Sequence, residues 1–286
     1  MRRERSKRMS IEAPFPELDE LIAMIGEAGQ RLSQIDACEG AAGNISAYLG
    51  WPIDARRHFP ISEAIELPAP APALAGGSLL VTGSGRRLRE ILHDPAANLG
   101  FVTVDDGGRT GRLYTSPRRL FARLTSELNS HLAVHQDQVA ATGTNFHAVV
   151  HAQPVFLTYL SHIPRYRAEA ELGRRLLRWQ PETVVNLPEG IGCIGFLVPG
   201  SDGLAAATAA SLRSHRIAVW SKHGVIARSD RSVTRAVDRI EYAETAARYE
   251  AMNLTAGGAG EGLTDAEIGD ICGAFGIAAS IFGRRG

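Results

Sequence analysis

Apolar residues at Leu18, Leu21, Ile22, Ile25, Ala28 and Leu32 recur every three or four positions, which predicts an amphipathic helix over 16–36. Gly40 and Gly43 close it, and Asn44–Leu49 reads as a strand. The Pro- and Ala-rich stretch 50–77 breaks the pattern and predicts an irregular connection. Ser78–Thr82 is a short buried strand running through Gly83-Ser84-Gly85 into a helix from Arg86 to His93, which Asp94-Pro95 stops. Phe101–Val104 and Arg112–Tyr114 predict a hairpin around Asp105–Gly108. Thr125-Ser126-Glu127 opens a helix to about Val139. Phe146–Val150 reads as a buried strand that stops at His151. Pro154 then opens a helix, because proline is tolerated in a first helical turn and not deeper.

The pattern continues with a charged helix from about Arg165 to Trp179 and strands at Thr183–Asn186 and Gly192–Val198. Ser201 or Asp202 caps a helix ending near His215, and Ile217–Trp220 and Val225–Arg228 are strands on either side of Ser221–Gly224. Asp230 or Ser232 caps a long helix to about Met252, and a Gly-rich break precedes a last helix near 265–275. Strands and helices interleave without a visible repeat or a boundary that would split the core. The expected architecture is one α/β domain over 13–286, preceded by a basic, solvated tail over 1–12.

Composition narrows the function classes. Lys plus Arg and Asp plus Glu are 31 each, so no global field selects nucleic acid or an anionic membrane. The first ten residues are basic but lack the apolar stretch of a signal peptide, and Met9 offers a second candidate start. No apolar run reaches membrane-spanning length. Cys38, Cys193 and Cys272 are odd in number and widely spaced, which argues against a disulfide framework and for the cytoplasm.

The chemistry collects in a few short stretches. His147, His151 and His162 lie in one mostly apolar segment, and His223-Gly224 sits between two strands. Singly, each histidine is as compatible with a satisfied core or surface position; together, His151 and His223 offer the residue type that binds Zn²⁺ or a similar ion. Gly43-Asn44-Ile45-Ser46 and Thr82-Gly83-Ser84-Gly85 are small-residue turns, the second between a strand and a helix, where backbone N–H groups can face an anion. Thr125-Ser126-Glu127 offers two hydroxyls and a carboxylate at a helix start, which is also what an ordinary cap provides.

In their order, GNIS (43–46), TGSG (82–85), TSE (125–127), HAQP (151–154), LVPGSD (197–202) and KHG (222–224) resemble the class II aldolase/adducin family over roughly 16–255. The later part, LPEGIG through WSKHGV, is similar to the members that cleave L-rhamnulose 1-phosphate. The resemblance implies a central, mostly antiparallel sheet flanked by helices, and a lyase that splits a phosphorylated ketose into dihydroxyacetone phosphate and L-lactaldehyde. It also implies a divalent cofactor such as Zn²⁺, no nucleic-acid or membrane partner, and a homotetramer with sites at subunit interfaces.

Carried onto this chain, Asn44, Ser84, Gly85, Thr125 and Ser126 would hold the substrate phosphate. Glu127 would shuttle a proton, with its pKa raised by enclosure, and Glu182 would serve as a second glutamate in a neighbouring subunit. His151, His223 and the residue at 153 would hold the metal. The family pattern has histidine at that position and this chain has Gln153. Three alternatives stand: Gln153 ligates through its amide oxygen, His162 or His147 replaces it, or the metal is weakened or lost. His131 and His135, four apart on one helix face, could imitate a metal pair. Other reactions on the same scaffold (epimerase, dehydratase, a different aldolase) and a non-catalytic, adducin-like module are the rivals.

Overall fold

The computed structural model describes residues 11–277 and 280–282, so the expected basic tail lies almost wholly outside the described residues. In chain order come α1 (Leu18–Gln34), β1 (Asn44–Leu49), β2 (Ile61–Glu66), β3 (Ser78–Thr82), α2 (Pro95–Asn98), β4 (Leu99–Val104), β5 (Thr110–Thr115) and α3 (Leu128–Thr142). Then follow β6 (Phe146–Ala152), α4 (Val155–Leu160), α5 (Glu169–Leu177), α6 (Pro181–Asn186), β7 (Gly192–Ile194) and α7 (Asp202–Ser214). The described chain closes with β8 (Ile217–Trp220), β9 (Gly224–Ser229), α8 (Val233–Thr255) and α9 (Asp265–Ala274).

All the strands join one sheet, in the order β2-β5-β4-β3-β1-β6-β9-β8-β7, antiparallel throughout except for the β7–β8 pair. Alternation along the strands sorts their side chains onto two faces. Ile45, Ala47, Ala148, Val150, Val225 and Ala227 pack into a core with residues of α1, α4, α5 and α8. On the opposite face, Tyr48 packs with Leu132 of α3 in one core. Val149, Trp220 and Ile226 join residues of α3 and α7 in another. By the same alternation Asn44, Ser46, His147 and His151 lie on the α3 face. That period of two is what collects the polar residues of two separate strands in one place.

Five expectations need correction. The stretch 50–77 contains β2, which pairs with β5 at the sheet edge. Its residues are exposed but for half-buried Ile65, so it carries no inside–outside alternation to read. The segment after Gly85 forms only a 3-10 turn at Leu88–Glu90, and Asp94-Pro95 starts α2 instead of ending a helix, with Pro95 in the first turn. Residues 183–186 are helical, not extended: Pro181 opens α6 at a position that favours proline, and the Thr183 hydroxyl donates to the carbonyls of Leu177 and Gln180. The strand expected over 192–198 ends at Ile194, and Phe196 and Val198 lie exposed. The charged helix also starts late, at Glu169, after a 3-10 turn at Pro164–Tyr166.

Helix α1 seats against the 88–90 turn through Gly29, where an added Cβ would stand 2.3 Å from the Leu88 carbonyl oxygen. Backbone cannot yield as a flexible side chain can. Gly29→Ala should therefore cost about 1–3 kcal/mol, seen as a lower calorimetric melting temperature with unchanged secondary structure. Among the described residues no helix is long and apolar enough to cross a membrane.

Candidate active site

Three turns converge beside the C-terminal end of β6. The β1–β6 register places Asn44 opposite His151. The 82–85 turn is tied to the approach to α3 by a bridge between Gly83 and Leu124, by Ser84 N–H donating to the Arg123 carbonyl, and by Thr125 N–H donating to that of Thr82. Thr82 in turn accepts the Ile45 N–H on its hydroxyl. Asn44, Ser84, Gly85, Thr125 and Ser126 thus sit on neighbouring segments. Gly85 has φ +70°, a conformation open to glycine, and Ser126 is exposed. Thr125 is buried, and its hydroxyl accepts the Glu127 N–H at 3.3 Å. A cavity of about 500 Å³ borders Thr125 and Ser126 and is also lined by Arg123 and by the acids Glu63, Glu66 and Asp202.

Glu127, at the start of α3, is 4% exposed. Its Oε2 accepts the Asn44 amide N–H at 2.9 Å and lies 3.5 Å from His151 Nε2, while Oε1 lies 3.4 Å from His223 Nε2. One ligand atom from each of Glu127, His151 and His223 falls within 4.8 Å of the others. His151 Nδ1 donates to the Val225 carbonyl at 2.8 Å, which turns its Nε2 toward the carboxylate. His223 Nδ1 is buried without a hydrogen-bond partner among the described residues. Trp220 packs against both imidazoles, with ring centroids 4.6 Å from His151 and 5.1 Å from His223, and its own Nε1–H is held by Thr208. Two imidazole nitrogens and a carboxylate are a donor set that fits a divalent first-row ion.

Burial pushes the Glu127 carboxyl up, but His151, the Asn44 hydrogen bond and His223 outweigh it, and the net direction is down. The expectation of a raised pKa considered enclosure alone and is corrected here: the charged and polar lining keeps Glu127 a carboxylate. His223 is held below its ordinary value by burial and by His151, against the pull of Glu127.

Gln153 follows β6 two residues after His151, on the same side by alternation. Its backbone N–H donates to the Ala37 carbonyl. Its Cγ lies against Gly224, where an added Cβ would stand 3.1 Å from it, so the side chain runs beside the His223 turn. Gln153 and the exposed His162 both line a cavity of about 520 Å³ with Cys38, Arg89 and Tyr159. His147 is fully buried and bonded to His135, 2.8 Å between their Nδ1 atoms. His131 and His135 are no imitation metal pair: both engage the Ser46 hydroxyl, at 2.6 and 2.7 Å. Glu182 sits exposed in the first turn of α6, which packs on α5, α8 and α9, away from the elements that carry Glu127, His151 and His223. In the sequence Trp220 and Ser46 do not stand out as site residues, and His131 and His135 do so only as a candidate metal pair. Only contacts between distant segments mark them.

The mostly antiparallel sheet and the buried carboxylate facing two imidazoles fit the family that the sequence resembles. The chain belongs to the class II aldolase and adducin family, whose N-terminal domain pattern matches residues 23–251, and it is a lyase. It is 31% identical over 204 residues to rhamnulose-1-phosphate aldolase of Klebsiella pneumoniae (strain 342), covering 71% of this chain and 73% of that one. The corresponding protein of Escherichia fergusonii is 31% identical over 221 residues, 77% of each chain. Among solved structures, a sugar-phosphate aldolase from Thermotoga maritima superposes with a TM-score of 0.70 at 27% identity, covering 84% of this chain and 97% of that one. An L-fuculose 1-phosphate aldolase shares the fold, with a TM-score of 0.56 at 17% identity over 93% of this chain and 100% of that one.

Proposed function

We propose that this chain cleaves a ketose 1-phosphate, L-rhamnulose 1-phosphate in the first place, to dihydroxyacetone phosphate and L-lactaldehyde. The observation that carries the reading is the convergence of Glu127, His151 and His223 beside the 82–85 and 125–127 turns. Similarity to rhamnulose-1-phosphate aldolases over about three quarters of each chain supports the choice of sugar.

His151 and His223 would hold the cation, with Gln153 adding its amide oxygen. Zn²⁺ is the proposed ion. The Lewis acidity it supplies when bound stabilises the negative charge that develops on the ketose oxygens as C3–C4 breaks. Glu127 exchanges the proton at C3: as a carboxylate it removes that proton in the condensation direction, and in cleavage it first takes a proton from water and then delivers it to C3. The Ser84 hydroxyl, the Gly85 N–H, the hydroxyls of Thr125 and Ser126 and the second amide N–H of Asn44 would grip the phosphate, the Ser84 N–H being already given to the Arg123 carbonyl. That binding energy lies away from the reacting bond and orients it. Glu182, far from its own chain's Glu127, would take the proton of the C4 hydroxyl in a neighbouring subunit of a homotetramer. No catalytic lysine is required, and Lys222 is the one lysine beyond residue 7. The cytoplasm is the proposed location.

Metal analysis of protein purified without added metal or chelator tests the centre. About one divalent ion per chain is expected, lost in His151→Ala and bound more weakly in Gln153→Ala. No bound ion, and none taken up on titration, would rule out the aldolase reading and favour an adducin-like module.

A further inference from the structure

A line of buried polar side chains leads from Glu127 into the interior, through Asn44, His131, Ser46, His135 and His147. Its hydrogen bonds can be assigned a direction. A carboxylate only accepts, so Asn44 turns its NH₂ to Glu127 Oε2 (2.9 Å) and its carbonyl oxygen to His131 Nε2 (2.5 Å). His131 Nε2 therefore carries a hydrogen. Burial and the neighbouring His135 hold His131 at a pKa of about 3, so the ring is neutral and Nδ1 is bare. Ser46 must donate its single hydroxyl hydrogen to that Nδ1 (2.6 Å), which leaves Oγ to accept from His135 Nε2 (2.7 Å). His135, also neutral through burial, accepts on Nδ1 from His147 Nδ1–H (2.8 Å). His147 Nε2 ends the line as a buried lone pair without a partner among the described residues.

The opposite direction fails at both ends. It would put the Asn44 carbonyl against a carboxylate and leave an unpaired buried N–H on His147, and orphaned donors are rarer than orphaned acceptors. Resting on the reading of Glu127 given above, we propose that His131, Ser46, His135 and His147 are positioning residues that fix the orientation of the Asn44 amide. Through it they fix the Glu127 carboxylate. The Asn44 carbonyl is withdrawn into the interior, so toward a ligand Asn44 can only donate. The relay thus makes the site selective for an anionic or other accepting oxygen at that point.

Two measurements test the relay. On the unaltered chain near neutral pH, long-range ¹⁵N–¹H spectra should show His131 and His135 as Nε2–H tautomers and His147 as the Nδ1–H tautomer. A reversed pattern, or a cationic ring among the three, overturns the assignment without any variant having to fold. In Ser46→Ala, kcat for cleavage of L-rhamnulose 1-phosphate should fall roughly 10–100-fold, with bound metal unchanged and activity partly restored in Ser46→Thr. A lower melting temperature with kcat unchanged would mean a structural role only and overturns the proposal. Glu127→Gln run in parallel separates the failures. If it cleaves at the wild-type rate, the reading of Glu127 falls and the proposal with it. If it is inactive beside a fully active Ser46→Ala, only the relay's role falls.

Discussion

Glu127→Gln should reduce kcat about 10²- to 10⁴-fold while the chain stays folded, because it removes a proton carrier and little else. Glutamine has the same shape and can still accept the Asn44 N–H on its amide oxygen. What it cannot do is gain and release a proton between the two imidazoles that face Oε1 and Oε2. Steady-state kinetics of ketose-phosphate cleavage, with circular dichroism as a control for folding, measure the effect. A Glu127→Gln enzyme with kcat within a few-fold of wild type would remove Glu127 from the chemistry.

Acid should weaken the fold more steeply than carboxylate titration alone explains. Burial and the nearby charges of Arg228 and Arg239 hold His147 at a pKa of about 3; burial and His135 hold His131 there too, and burial with His147 keeps His135 well below its ordinary value. These are folded-state values depressed below the unfolded value of roughly 6.5. The native rings therefore stay neutral while the unfolded chain takes up protons. Stability is intact above pH ~6.5 and is lost as the pH falls, each ring contributing about 1.4 kcal/mol per pH unit. For His131 and His147 together the loss between pH 6.5 and 5 is about 3 kcal/mol, a large share of the stability of an ordinary domain, and His135 acts in the same direction. Urea midpoints at pH 7.5 and 5, with calorimetric proton uptake on unfolding, check this. Equal midpoints would show that the three histidines are not neutral in the native state.

The residues differ in how far the sequence exposed them. Helix α1 and strands β1, β3 and β6 were legible because each buries one face or both, and burial is what hydrophobic patterning records. Strand β2 was not, since backbone pairing at an exposed edge leaves no trace in side-chain polarity. The segment 183–186 misled because Thr-Val-Val favours strands locally, while Pro181 and packing against α8 and α9 decide the outcome. At the site, His151, His223 and Glu127 stood out by residue type and by their place in recurring motifs. The role of Ser46 could not be seen, because it depends on α3 crossing the sheet at that point. His131 and His135 were noticed as a same-face pair, yet the partner between them belongs to β1.

Strand β1 is paired on one side with β3, Ser46 facing Val81, and on the other with β6, Asn44 facing His151 and Tyr48 facing His147. Adding or deleting one residue within 44–49 would turn Asn44 and Ser46 to the opposite face together, parting Glu127 from its amide and the histidines from their hydroxyl in one event. Insertions and deletions should therefore be tolerated in the connections, such as 50–60 and 161–168, and not within β1. Point substitution at 153, outside the ladder, stays open.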